Sequence, residues 1–171
     1  TAATSPAACV SAGINSLTPT WCYGGTVTSS GVDGSFSSPS EMIVYQSKLY
    51  VVDTSNNRIQ RWNVNGTYEG WVGKTLTAAT SPTACVNAGV GAATPVWCMG
   101  GTPTSSTRRG LPAYNQAGAA TPTEGLNSPV GITTDGTYLY VGDTGNRRIL
   151  RINLSTGAYS GWIGRLYQGT G

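Results

Sequence analysis

Cys9 and Cys22, and again Cys85 and Cys98, are two pairs of equal spacing, and they are the most reactive side chains in the sequence. Cysteine can serve as a nucleophile, a metal ligand or half of a disulfide. The complete lack of histidine narrows that choice, because it removes the commonest general base and the commonest nitrogen ligand. Ser-His-Asp and Cys-His catalysis are impossible within the chain. A structural zinc site needs four ligands, and neither a Cys-x-x-Cys pair nor a histidine is present.

The next group with chemical potential is a carboxylate close to an arginine, found twice. Asp53 precedes Asn56 and Arg58, and Asp143 precedes Asn146 and Arg148 at the same spacing. Both sets straddle a turn between strand-like runs. There a short acid accepts backbone N–H groups, and an arginine satisfies carbonyls or the same acid, so the expected role is a structural turn. Candidates for ligand binding are side chains near the second cysteine of each pair, Trp21 and Tyr23, then Trp97 and Met99. Arg108, Arg109 and Tyr114, in a later loop, complete that set. Nothing in the sequence calls for a metal or a cofactor.

The elements that must hold these residues follow from an internal repeat. Thr1-Ala2-Ala3-Thr4-Ser5-Pro6 recurs as Thr77-Ala78-Ala79-Thr80-Ser81-Pro82, and Trp21-Cys22 recurs as Trp97-Cys98, at an offset of 76. The offset then grows to 90, where Leu49-Tyr50-Val51 meets Leu139-Tyr140-Val141, so the second copy carries an insertion of 14 residues around 108–123. Near the end it becomes 91, where Gly70-Trp71 meets Gly161-Trp162. The extra residue lies in a turn, Asn65-Gly66 in one copy and Ser155-Thr156-Gly157 in the other, both suited to hairpins. The chain divides into residues 1–76 and 77–171, each a long insert followed by a strand-rich half. Four cysteines allow three pairings, and the duplication favours Cys9–Cys22 and Cys85–Cys98, each within its own copy. Disulfides imply an oxidising compartment, and so a secreted or cell-surface protein.

Strand and turn signals give four short strands per copy, near 41–45, 48–53, 58–63 and 68–72, then near 130–134, 138–143, 148–153 and 159–163. Four strands per repeat is the composition of a β-propeller blade. Tyr50-Val51-Val52-Asp53 with Asn56-Asn57-Arg58-Ile59, and Tyr140-Val141-Gly142-Asp143 with Asn146-Arg147-Arg148-Ile149, resemble NHL repeats. The segments around Trp21-Cys22 and Trp97-Cys98 resemble elements found between such repeats in large bacterial surface proteins. The resemblance implies an all-β propeller segment of two four-stranded blades, each preceded by a disulfide-bearing insert. Trp62, Trp71 and Trp162 are expected on strands, packed between blades.

Some NHL relatives are amidating lyases with a histidine-bound metal, and that activity cannot carry over to a chain without histidine. A lactonase-like hydrolase would hold calcium with central acids, but Glu41 and Asp135 do not occupy equivalent positions in the two copies. The expected protein is therefore not an enzyme. It is an extracellular recognition or adhesion module binding a glycan or cell-surface protein through its inserts, with a structural spacer or filament subunit as the alternative.

Charge agrees with that reading. Charged residues are only 10% of the chain against about 25% ordinarily. The net +3 comes from the second copy, whose arginines are scattered rather than aligned in the basic stripe that nucleic acid requires. No apolar run reaches the roughly 20 residues that cross a bilayer, and no signal-peptide pattern is visible; Thr1 coincides with the start of a repeat, as expected of a mature product or an excised piece. Two Asn-x-Ser/Thr sequons, at Asn65 and Asn153, are expected to be accidental in a bacterial protein. Two blades leave a bare sheet face at each end, so self-association is expected, with three chains completing a six-bladed ring. The alternatives are a fragment of a longer array, or inserts that cover the open faces, and the tail from Leu166, which does not start another insert, favours the trimer.

Overall fold

The computed structural model describes residues 1–27, 29–104 and 125–164. The chain is all-β apart from a few short helical turns. In the first copy, β1 (Pro39–Tyr45), β2 (Lys48–Asp53), β3 (Arg58–Asn63) and β4 (Tyr68–Thr77) form an antiparallel meander. In the second, β6 (Pro129–Thr134), β7 (Tyr138–Asp143), β8 (Arg148–Asn153) and β9 (Tyr159–Gly164) repeat it. The turns do what their residues dictate. Gly66 and Gly157 adopt φ of 91° and 80° in the β3–β4 and β8–β9 hairpins, a region open to glycine at little cost.

Two features depart from the expected pattern. Each insert contains a six-residue helix, α1 (Ala7–Ala12) and α2 (Thr83–Ala88). Such helices are too short to give a periodic signal or to persist alone. Each begins after a cis Ser-Pro bond and ends at a glycine of positive φ, Gly13 or Gly89. The second departure is a fifth strand, β5 (Thr102–Thr104), which adds to β4 and widens the first sheet.

Alternation along the strands gives each sheet two faces. In the first sheet, Ile43, Tyr50, Val52, Ile59 and Val72 share one face. They pack against Ile132, Leu139, Val141, Leu150 and Ile152 of the second sheet, and this forms the main core. Fully burying a side chain of this size contributes about 1.5–3 kcal/mol. The opposite face of the first sheet, with Val51, Trp62 and Trp71, is covered by its own insert through Phe36, whose ring stacks 5.8 Å from that of Trp62. Trp71 is fully buried, and Trp162 packs at the margin of the main core.

Candidate functional site: the disulfide-locked inserts

Both disulfides form as the duplication requires, Cys9–Cys22 and Cys85–Cys98, with Cα atoms 5.7 and 5.8 Å apart. Each ties a short helix to the segment that carries the insert's tryptophan. Backbone pairs lock the same loop from the other side: Ser5 bridges Tyr23 in the first insert, and Ser81 bridges Met99 in the second. Thr4 N–H donates to the Tyr23 carbonyl at 2.8 Å, and Thr80 N–H to the Met99 carbonyl at the same distance.

Each insert rests on the β-hairpin of its own copy. The Trp21 indole N–H donates to the Val64 carbonyl at 2.8 Å, and that of Trp97 to the Leu154 carbonyl at 3.2 Å. The hairpin glycines permit this approach. A Cβ on Gly66 would lie 2.7 Å from the Trp21 nitrogen, and one on Gly157 would lie 2.6 Å from the Trp97 nitrogen.

The two tryptophans then differ. Trp97 is buried between the sheets, with the Tyr50 ring 5.7 Å away and the Arg61 guanidinium 4.6 Å above its own ring. Burial lowers the Arg61 pKa, an effect that Glu69 opposes from 3.1 Å. Trp21 lies largely in solvent, as does Tyr23. Of the four aromatic and sulfur-bearing candidates, Trp21 and Tyr23 are exposed, while Trp97 and the partly buried Met99 are spent on internal packing. Arg108, Arg109 and Tyr114 lie outside the described residues.

The acid–arginine sets hold the inserts down. Asp53 is fully buried. Its Oδ2 accepts from Asn56 at 2.9 Å, Arg58 Nε at 2.8 Å and Gln60 at 2.8 Å, and its Oδ1 accepts from the Ser37 N–H at 2.7 Å. Arg58 spends its remaining N–H groups on the carbonyls of Gly31, Val32 and Ser35, all in the insert. The second copy repeats the core of this arrangement. Asp143 accepts from Asn146 at 2.8 Å, Arg148 Nε at 2.7 Å and the Asn127 N–H at 2.7 Å. Both carboxylates are fully buried and committed to these structural donors.

Asp33 is a bridging residue that the sequence did not single out. Its Oδ1 accepts from the Tyr68 hydroxyl at 3.1 Å and its Oδ2 from the Gly100 N–H at 2.7 Å, so one side chain joins the first insert, the first sheet and the second insert. A lone acid in a Gly-Ser loop gives no periodic or motif signal, and only its distant partners reveal it. Burial, then the Asp33 charge, raise the Tyr68 pKa well above that of a free phenol.

Glu41 and Asp135 are also placed in structural contacts. Glu41 accepts from the Ile132 N–H at 3.0 Å across the two sheets. Asp135 accepts from the N–H groups of Thr137 and Tyr138, both at 2.8 Å, and from the Tyr140 hydroxyl. The backbone bonds lower its pKa most. Among the described residues no group of three or more Cys, Asp or Glu side chains is arranged to hold a metal, and no helix is long and apolar enough to cross a membrane. No protein-family model and no curated protein matches the chain.

Proposed function

We propose that the chain is a pair of NHL-type β-propeller blades acting as an extracellular recognition module, with a glycan or cell-surface protein bound by the disulfide-locked inserts. The observation that carries this reading is a repeated apolar surface. Val10 and Ile14 of the first insert are exposed, and so are their counterparts Val86 and Val90 in the second, although the second insert is otherwise wedged into the core. Aliphatic side chains left in water at the same positions of both copies, on loops fixed by a disulfide and a bound turn, suit a contact surface better than a packing surface. Disulfides in both copies favour a secreted or surface location. The engagement of Asp53, Asp143, Glu41 and Asp135 in turns and sheet contacts favours recognition over hydrolysis.

A second reading, a ring or filament subunit, is favoured by the match between the two outward sheet faces, and three such chains would supply six blades. The two roles draw on different residues, the exposed aliphatic side chains of the inserts for recognition and the outward sheet faces with Trp21 for assembly. Binding to a glycan array and to intact cells, compared with a variant carrying V10S, I14S, V86S and V90S, tests the recognition role. Loss of binding by a variant that still folds is expected. A wild-type chain that binds neither glycans nor cells, or a variant that binds equally well, would leave only the structural role.

A further inference from the structure

The contact between the two sheets is directional. One face of the first copy meets the opposite face of the second, and by the repeat each copy owns both faces. The two outer sheet faces of the described residues are therefore equivalent to the surfaces already mated between the sheets.

The exposures bear this out at the rim of the joint, while Val51, Gln60 and Trp62, the counterparts of Val141, Leu150 and Ile152, are already buried beneath the first insert. Ile59 and Val72 are fully buried in the internal joint, whereas their counterparts Ile149 and Ile163 are 44% and 67% exposed. Ile132 is 5% exposed and its counterpart Met42 is 63%. Trp97, 6% exposed, is covered by Tyr50 and Arg61, whereas Trp21 is 61% exposed. The residues equivalent to Tyr50 and Arg61 are Tyr140 and Arg151, and both face outward on the far side of the chain, where Arg151 lies over the Tyr138 ring at 4.5 Å.

We propose that a second copy of this chain docks head to tail, placing its Trp21 against Tyr140 and Arg151 of the first and burying its Met42, together with Ile149 and Ile163 of the first, in the same joint. Each exposed group then gains the neighbour that its counterpart already has. Trp21 is thereby a joint residue and not a ligand platform.

The new joint differs from the internal one in its polar contacts. Internally, Ser40 donates to the Val130 carbonyl at 2.9 Å, Glu41 accepts from Ile132, and Asn57 Oδ1 accepts from the Ser128 N–H at 2.8 Å. The repeat replaces these three with Val130, Gly131 and Arg147, which cannot make the same bonds. Two other internal bonds, from Thr54 Oγ1 to the Pro129 carbonyl at 2.8 Å and from Arg61 to the Ser155 carbonyl at 3.2 Å, have counterpart groups in Thr144 with Pro39 and Arg151 with Asn65. The joint between copies therefore keeps fewer hydrogen bonds beside its apolar, aromatic and cation–π contacts, so it is weaker than the internal one and reversible with concentration. A contact between unlike surfaces either closes a ring or continues as a filament.

This inference rests on the stacked-blade reading above but not on recognition by the inserts. Sedimentation of the wild-type chain over a concentration series should show mass rising above 17.6 kDa toward whole multiples. Two variants each block one side: W21A with M42E, and I149E with I163E. Each alone should remain monomeric with unchanged circular dichroism, and an equimolar mixture should form a 1:1 dimer and stop, because each variant keeps the surface its partner lacks. I14S, at a position exposed in both copies, should assemble like wild type. A wild-type chain that stays monomeric at every concentration overturns the proposal, as does a mixture that fails to pair or a loss of assembly in I14S. Any of these leaves the glycan and cell-binding result standing, so the two readings fail separately.

Discussion

Asp53 and Arg58 show why a pair with catalytic potential does structural work here. Both side chains are wholly buried, and their 2.8 Å ion pair is only one of several bonds each makes. Desolvating a carboxylate is costly, and the surrounding donors offset that cost only while every lone pair is used. Replacing Asp53 with Ala leaves a buried guanidinium without its counter-ion and an unsatisfied Ser37 N–H. Urea denaturation should show a loss of about 3–5 kcal/mol. A loss below about 1 kcal/mol, the range of an exposed pair, would contradict the tight packing around this turn.

The inserts depend on their cross-links more than on their own cores. The buried cluster of the second insert consists of little beyond Ala79, Cys85 and Cys98 with Val96 against them, and α1 and α2 are each under two turns. Helices of that length do not form alone in water, so the disulfide and the backbone bridges must hold the loop. Removing Cys9 and Cys22 together, by C9S with C22S, should lower stability by roughly 2–4 kcal/mol. The effect should be local. Amide exchange should quicken in residues 1–27 while β2, β3, β7 and β8 keep their protection, because the main core draws on both sheets and on Trp97 of the other insert. Collapse of the sheets in this variant would show that the first insert is integral to the core and not an attachment to it.

Across the molecule several phenols are held within the interior, and this sets the response to alkali. The pKa values of Tyr50, Tyr68 and Tyr159 are all raised above the ordinary 10.0, each chiefly by burial. Such a phenol keeps its proton in the folded chain after the unfolded chain has lost it. Below pH 10 both states are protonated and no difference arises; as pH rises past 10 the unfolded state binds fewer protons, and stability falls. Absorbance titration at 295 nm should show Tyr50, Tyr68 and Tyr159 ionising only in a cooperative step that coincides with loss of circular dichroism. Ionisation of every tyrosine in one smooth curve near pH 10, with the fold retained, would contradict this burial.

The repeat in the sequence determined much of this protein. Equal spacing at an offset of 76 gave the cysteine pairing, and alternation with glycine-bearing turns placed eight strands, because a two-residue period and a hairpin turn are local properties of the chain. The Asp-x-x-Asn-x-Arg turns were legible for the same reason. The tertiary structure decided what local signals do not carry. Trp21 and Trp97 stand in nearly identical sequence, yet one is exposed and the other buried, since only the second insert has a sheet in front of it. Asp33 acquired its role from Tyr68 and Gly100, 35 and 67 residues away. The direction in which one sheet face meets the other was likewise absent from the repeat itself: identical units specify what is joined, and only their packing fixes which surfaces remain for a neighbour.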